Sequence, residues 1–426
     1  MNSDEVTRYQ QFRQFRGEVR QSKEYLVVGI DVAKEKHHAF FGSAKGETYR
    51  RRLIFENNIK GFENFEAQIE SIQTARGKQK VVLGFEPTGN YHKALGKWLI
   101  EQGYQLVLVT GKGVKDNRES LDGRWDKNDT KDSANVADLV AQGKCQFFEN
   151  PNPEIIQLRD LLSLRKRLKR EEHSLRMRIR NSLVCKYFPE LDRYWGSSLQ
   201  ENLSIVRHFL DPKKIAAMTF RDFVVRVSTK DRGDRQLKRL RKIYDTASES
   251  IGCPVGPGAE FEADMLVERL MGIRKRIEET MRRIKEVAEQ FGSYKKLQSI
   301  PGFGPYISAL VIATIGDPNR FGSYKQVIRL AGLDLNAKRS GKWSDHAVPV
   351  ISKRGDADLR YGLYQAALVG SYHNKAVRSY YGRLLEGRQR ERGIGTKMRV
   401  KLASKLLIIA WTMMKKDQEF NPLLLT

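Results

Sequence analysis

Cysteine is scarce in this chain: three in 426 residues, Cys145, Cys185 and Cys253, far apart and with no CxxC pair. That pattern argues against a disulfide framework and a cysteine-built zinc site, and it fits a reducing cytosol. A long apolar run is also missing. The longest near the C-terminus, Leu406–Trp411, falls far short of the ~20 residues a spanning helix needs, so no membrane partner is expected. The opening stretch MNSDEVTRYQQFRQFRGEVRQSKEY has neither an apolar signal core nor a cleavage pattern. There is no internal repeat and no low-complexity tract. Acidic residues are few beside basic ones, 51 against 77, which leaves a formal net charge of +26 and a pI near 9.9. A charge that large strains the folded state by self-repulsion unless a polyanion screens it, so nucleic acid is the expected partner.

The length suits two or three domains. Residues 1–23 form a polar, basic lead-in with room for a short helix. YLVVGID (25–31) is a buried strand rich in β-branched residues. HHAFFGSAKGETYRRRLIF supplies two further strands that turn at Ala44–Lys45–Gly46. A polar helix is expected over Lys60–Thr74, a strand at KVVLGFE (80–86), a helix around Tyr91–Gln102 and a fifth strand at YQLVLVT (104–110). Three hairpin-type strands followed by strands alternating with helices predict a mixed α/β sheet over residues 24–150.

From about Pro153 the period becomes helical. Leu158, Leu161, Leu164, Leu168, Leu175, Ile179 and Leu183 recur at helical spacing, and Leu266, Leu270, Ile273, Ile277, Met281, Ile284 and Phe291 run at threes and fours. An antiparallel helical hairpin with coiled-coil character is expected over 151–296, interrupted by a variable segment that ends in a Gly/Pro loop. Its outer faces are basic, with Arg165, Arg167, Arg176 and Arg180 as candidate nucleic-acid contacts beside a role in oligomerisation. Residues 297–426 make a third, mainly helical unit with helices at 357–371 and 397–416.

Four carboxylates stand out. Asp31 and Glu86 each terminate a buried apolar strand, where an unpaired charge is costly. If the strands lie side by side, both carboxylates emerge at the same end of the sheet. Asp129 and Asp132, three apart in DKNDTKDSANVADL, share one face at the start of a helix. Asp138 falls roughly on that helix's other side. Taken singly these are ordinary turn and helix-cap residues. Together, in a basic chain, they are a set of oxygen ligands suited to one or two Mg2+ or Mn2+ ions, which would polarise a phosphodiester.

In the last unit, IPGFGP (300–305) resembles a helix-hairpin-helix turn whose backbone amides touch phosphate, with Gly302 and Gly304 as candidate contacts. LNAKRSGKW (335–343) sets Ser340 among Arg339, Lys342 and, further on, Lys353 and Arg354. These four bases are candidates for holding a scissile phosphate. Tyr294, Phe303, Tyr306, Phe321, Tyr324 and Trp343 are interleaved with the bases, as stacking partners for unpaired bases or, more commonly, as core.

The motifs VVGIDVAKEKHHAFF, LGFEPTGNYH and DKNDTKDSANVADLVAQG resemble the RuvC-like, RNase H-type DEDD domain of a transposase family of bacterial insertion sequences, to which the Piv invertases are related. SIPGFGP, RLAGLDLNAKRSGKW and ISKRGDADLRYGLYQAAL resemble the family's second domain, in the same order. The resemblance implies a fold with a RuvC-like sheet domain, a coiled-coil hairpin and a helical C-terminal transposase domain. It implies that Asp31, Glu86, Asp129 and Asp132 form a metal site and that Ser340 is a nucleophile forming a covalent phosphoserine–DNA intermediate. The implied partners are element and target DNA, a non-coding bridge RNA, and further copies of the chain as a dimer to tetramer. The expected location is the bacterial cytoplasm, at the nucleoid. A metal-dependent endonuclease of the Holliday-junction-resolvase type, with water as attacker, is the alternative on the same fold.

Overall fold

A computed structural model describes residues 8–122, 129–148, 151–195, 200–228, 233–336 and 350–425. The chain divides into two compact units. The first holds residues up to Asn152 together with Asp317–Arg329, and the second holds Pro153–Gly316 and Leu330–Thr426.

The first unit begins with α1 (Arg8–Gln21), the helix for which the basic lead-in left room. Then follow β1 (Tyr25–Asp31), β2 (Lys36–Ser43), β3 (Thr48–Glu56), α2 (Ile59–Arg76), β4 (Lys80–Phe85), α3 (Tyr91–Glu101), β5 (Gln105–Leu108), α4 (Gly111–Asp122), α5 (Asp129–Ala141) and β6 (Gln146–Phe147). Five strands lie where the apolar runs predict them. The helix α4 and the two-residue strand β6 are additions. The sheet order is β3-β2-β1-β4-β5-β6; β1 runs antiparallel to β2 and parallel to β4, and the last strand is antiparallel.

Both faces of this sheet are covered, which is why its central strands are continuous apolar runs rather than alternating ones. Leu26, Val28, Ile30, Leu83 and Phe85 face α2 and α3 and meet Phe62, Phe65, Leu95 and Leu99. Val27, Val82 and Val107 face α1 and α5 and meet Val19, Val136 and Val140. Successive strand residues alternate faces, so Asp31, two beyond Gly29 and four beyond Val27, falls on the α5 side.

The second unit opens with the long helix α6 (Pro153–Arg178), a six-residue π turn (Ile179–Val184) and the short α7 (Cys185–Tyr187). The segment 190–258, which its sequence leaves variable, contains α8 (Gln200–His208), α9 (Pro212–Ala216), α10 (Phe220–Val227) and α11 (Asp234–Ala247). These close a core of their own in which Phe188, Leu203, Phe209, Phe223, Leu240 and Ile243 pack against Leu266 and Leu270. Those last two residues belong to α12 (Pro257–Ala288), which returns along α6. The antiparallel sense follows from its ion pairs: Arg178 meets Glu262 at 2.8 Å, Glu171 meets Arg269 at 2.8 Å and Glu172 meets Arg274 at 3.3 Å. The expected apolar seam needs one correction. Leu162 is buried, whereas Leu164 is 37% exposed, so the buried face of α6 runs Ile155, Leu158, Leu162 rather than through Leu161 and Leu164.

The remainder comprises α13 (Ser293–Leu297), α14 (Pro305–Ile315), α15 (Tyr324–Leu330), the paired strands β7 (Leu335–Asn336) and β8 (Val350–Ile351), then α16 (Ala357–His373), α17 (Lys375–Leu385) and α18 (Ile394–Lys416). The nearly wholly apolar α14 is buried, and α16 packs on α18, where Leu363, Ala367, Leu402 and Leu406 are buried. Among the described residues no helix is long and apolar enough to cross a membrane.

Candidate active-site carboxylates and nucleic-acid interface

The parallel pairing of β1 with β4 sets Ile30 opposite Phe85. One residue further on, Asp31 and Glu86 therefore leave the same end of neighbouring strands, which lie about 4.8 Å apart. Gly29 and Gly84 are also register partners, and together they form a flat floor. A Cβ on Gly29 would come within 2.1 Å of the Ser133 carbonyl oxygen, and one on Gly84 within 2.4 Å of Val140 Cγ2. Only hydrogen at these positions lets α5 lie this close to the sheet. That contact brings the N-terminal turn of α5, with Asp132, to the face on which Asp31 and Glu86 fall.

Asp132 is buried, at 5% exposure. Its Oδ1 makes no well-directed hydrogen bond, and its partner is the Arg118 guanidinium on α4, Nη2 at 2.5 Å. The neighbouring polar residues fix the two helices together. Asn135 donates to the Val114 carbonyl at 2.7 Å, and Asn117 donates to Asp138 Oδ2 at 2.9 Å, which also accepts from Gln142 at 2.6 Å. Asp138 is thus engaged away from the strand ends. Glu86 packs against the start of α4, since a Cβ on Gly111 would meet its Oε1 at 2.6 Å. Asp129 begins α5, while its side chain lies outside the described residues.

Two residues beside these carboxylates were not singled out from the sequence. His38 is the register partner of Asp31 across the β1–β2 pair, foreshadowed only by the paired histidines in KHHAFF. Arg118 sits on α4, a polar helix whose sequence GKGVKDNRES carries no apolar period. The adjacent His37 is fully buried, and burial pushes its imidazole below the usual histidine range.

All four acids offer oxygen, the donor type that suits Mg2+ or Mn2+. Among the described residues, no three His, Cys, Asp or Glu side chains gather closely enough to hold an ion. The fit therefore rests on the shared strand-end register of Asp31 and Glu86 and on a buried Asp132 whose charge is balanced by a cation, Arg118.

In the second unit, Ser340, Arg339, Lys342, Trp343 and His346 lie outside the described residues. The segment that carries them leaves and returns through β7 and β8, where Leu335 pairs with Ile351 and Asn336 with Val350. Beside this ladder Ser352 Oγ donates to Asp334 Oδ1 at 2.5 Å, and Lys353 donates its amide to the Gly332 carbonyl at 3.0 Å. Lys353 adopts a left-handed φ of 55°, uncommon for a side chain of its size. Lys353 and Arg354 thus form a fixed, exposed turn at the base of the segment.

The other predicted contacts divide. Gly302, at φ 90°, would bring a Cβ within 2.2 Å of the Ala366 carbonyl oxygen, so this glycine serves the packing of its turn on α16. Gly304 caps α14 ahead of Pro305, with open space around it. Arg165 lies 3.9 Å above the Tyr306 ring and Arg180 holds Asp192 through two hydrogen bonds. Arg176 is half-buried and Arg167 is exposed. Among the aromatics, Tyr294 and Phe303 are core, whereas Tyr324 is exposed.

A mixed sheet with carboxylates at adjacent strand ends, followed by a helical region with a basic turn, is an arrangement suited to phosphodiester chemistry, and comparison with known proteins assigns the class. A family profile described as transposase matches residues 28–189, and a second, described as the transposase IS116/IS110/IS902 family, matches residues 294–382. The chain is 30% identical over 401 residues to the transposase for insertion sequence element IS1328 of Yersinia enterocolitica, covering 93% of this chain and 98% of that protein. It is 24% identical to an uncharacterized protein of insertion element IS116 of Streptomyces clavuligerus, over 93% of this chain and 96% of that one. It is 22% identical to the pilin gene-inverting protein of Moraxella lacunata, over 94% and 98% of the respective lengths. The protein is a DNA transposase, an enzyme of DNA recombination. It belongs to the IS110/IS116/IS902 transposase family.

Proposed function

We propose that this transposase cuts and joins DNA with a RuvC-like DEDD site and a serine nucleophile, directed to its sites by a non-coding bridge RNA. The single observation that carries the catalytic half is the parallel register that sets Asp31 beside Glu86, on the face over which α5 carries Asp132. Asp31, Glu86, Asp129 and Asp132 would hold Mg2+ or Mn2+, whose chemistry is to polarise a phosphodiester. Arg339, Lys342, Lys353 and Arg354 neutralise and orient the scissile phosphate. The Ser340 hydroxyl attacks phosphorus and gives up its proton to solvent. The bond from phosphorus to the leaving deoxyribose oxygen breaks, that oxygen takes a proton, and DNA is left esterified to serine. Attack by a deoxyribose hydroxyl of the joining strand reverses the step and frees Ser340.

In this reading residues 24–150 are the DEDD domain, 151–296 the helical linker and oligomerisation region, and 297–426 the serine domain. The same reading includes assembly of two to four copies, with each composite site drawing its two halves from different subunits. Action on bacterial DNA supports placing the enzyme in the cytoplasm, at the nucleoid.

The test is a suicide DNA substrate incubated with the protein, Mg2+ and RNA transcribed from the flanks of the gene. A denaturant-resistant protein–DNA adduct is expected from the parent and none from Ser340→Ala. Cleavage without an adduct would instead support a resolvase-type endonuclease using water. Cleavage at the parent rate by Asp31→Asn and Asp132→Asn would sink the metal site. An adduct that forms equally well without RNA would sink guidance.

A further inference from the structure

Residues 8–21 carry two parallel stripes on one helix. Phe12, Phe15 and Val19 stand at i, i+3 and i+7. Val19 is buried in the core on the α5 side of the sheet, and the two phenylalanines pack on the Phe147 ring with centroids 4.7 Å and 5.2 Å away. Tyr25 closes the dock: its ring lies 6.3 Å from that of Phe15 and its hydroxyl donates to Glu18 at 3.3 Å. The helix is thereby pinned to the sheet. One residue on, at the same spacing and about 100° around the helix, stand Arg13, Arg16 and Arg20.

These arginines line an open groove with Gly17 and Gln21. Positions 13, 16, 17, 20 and 21 are one continuous helix face, and Gly17 is its low point, with nothing within 4 Å of where its Cβ would stand. Glycine is a poor helix-interior residue relative to alanine, yet here it leaves a hollow rimmed by guanidinium groups. Gly143, at φ 65°, leaves room for Arg16, whose Nε lies 3.0 Å from where a Cβ would be. No carboxylate among the described residues forms an ion pair with Arg13, Arg16 or Arg20, although the chain contains 51 acids.

We infer that this face of α1 is a docking surface for the phosphate backbone of duplex DNA. Arg13 to Arg20 spans about 10 Å of helix, opposite a duplex that carries one phosphate per about 1.7 Å of its axis. A guanidinium pairs with phosphate in a bidentate fork, and a rigidly docked helix loses little freedom on binding. The inference rests on the family's action on DNA, not on the cleavage chemistry proposed above.

The experiment is binding of the full chain to a short fluorescent duplex in EDTA, by anisotropy across a salt series, so that no cleavage contributes. Replacing Arg13, Arg16 and Arg20 together by Gln should weaken binding on the order of tenfold and flatten the slope of log K against log salt by about 2–3. Gly17→Glu, which fills the hollow with opposite charge, should act in the same direction. Gly17→Ala leaves it open and should bind like the parent. A triple variant that melts like the parent and keeps the parent slope overturns the proposal. A slope that flattens for a structured RNA of equal length but not for the duplex overturns it too. Binding is read in EDTA without cleavage, so failure of the catalytic reading would leave this result intact.

Discussion

Arg118 reaches from α4 to Asp132 on α5, its Nη2 2.5 Å from the carboxylate Oδ1 at a buried position. A buried acid that loses its counter-charge is left desolvated and unpaired. In EDTA, Arg118→Gln should lower unfolding stability by about 2–3 kcal/mol in urea titrations. Added Mn2+ should raise the melting temperature of this variant more than that of the parent, because the guanidinium no longer competes for Asp132. Equal shifts would mean that Arg118 and the cation do not share this carboxylate.

The glycine floor under α5 makes a graded prediction. At Gly29 an added Cβ strikes a backbone oxygen, whereas at Gly84 it strikes the tip of the Val140 side chain. Backbone yields less readily than a side chain, so Gly29→Ala should cost about 3 kcal/mol and Gly84→Ala about 1 kcal/mol. Val140→Ala should recover much of the second loss and none of the first. Chemical denaturation of Gly29→Ala and Gly84→Ala, each with and without Val140→Ala, measures this ordering.

Cysteine alkylation tests the docking of α1 and carries a pH dependence. Cys185 and Cys253 are exposed; Cys145 is buried, and burial pushes its thiol up to about 11, against a smaller opposing pull from Arg16. The thiolate is the nucleophile. Near neutral pH, mass spectrometry should therefore find two sites alkylated quickly and Cys145 slowly. Its rate should climb as pH rises toward 11, for as long as the fold persists. Phe12→Ala with Phe15→Ala should speed labelling at Cys145 alone.

Much of the first unit is legible because its strands are short apolar runs that end at Gly, Pro or a carboxylate, and YLVVGID and KVVLGFE stand out for that reason. What the sequence does not specify is which strands neighbour each other, and so whether Asp31 and Glu86 meet. The register answers that. The helix α4 is not legible: it buries only Val114 among its described side chains, so its polar sequence has no period, and the Arg118 contact goes unseen with it. The ion pair of Arg180 is equally hidden from the sequence. Its partner, Asp192, lies twelve residues on, in a turn whose position depends on the helical core of the second unit. At Gly302 the sequence shows a glycine that allows a tight turn, but not that its neighbour is the Ala366 carbonyl on α16.

The π turn at Ile179–Val184 breaks the α-helical hydrogen-bond pattern that begins at Pro153. An i→i+5 turn holds an extra residue relative to an α-helix, and each residue is worth about 100° of rotation. The turn works as a fixed angular offset in the chain. It aims the helices that follow in a direction that continuing α6 would not reach. Deleting a single residue there would leave every local contact chemically available while rotating the whole α8–α11 core about the axis of α6, so the bearing of that core is written in residue count rather than in any one side chain.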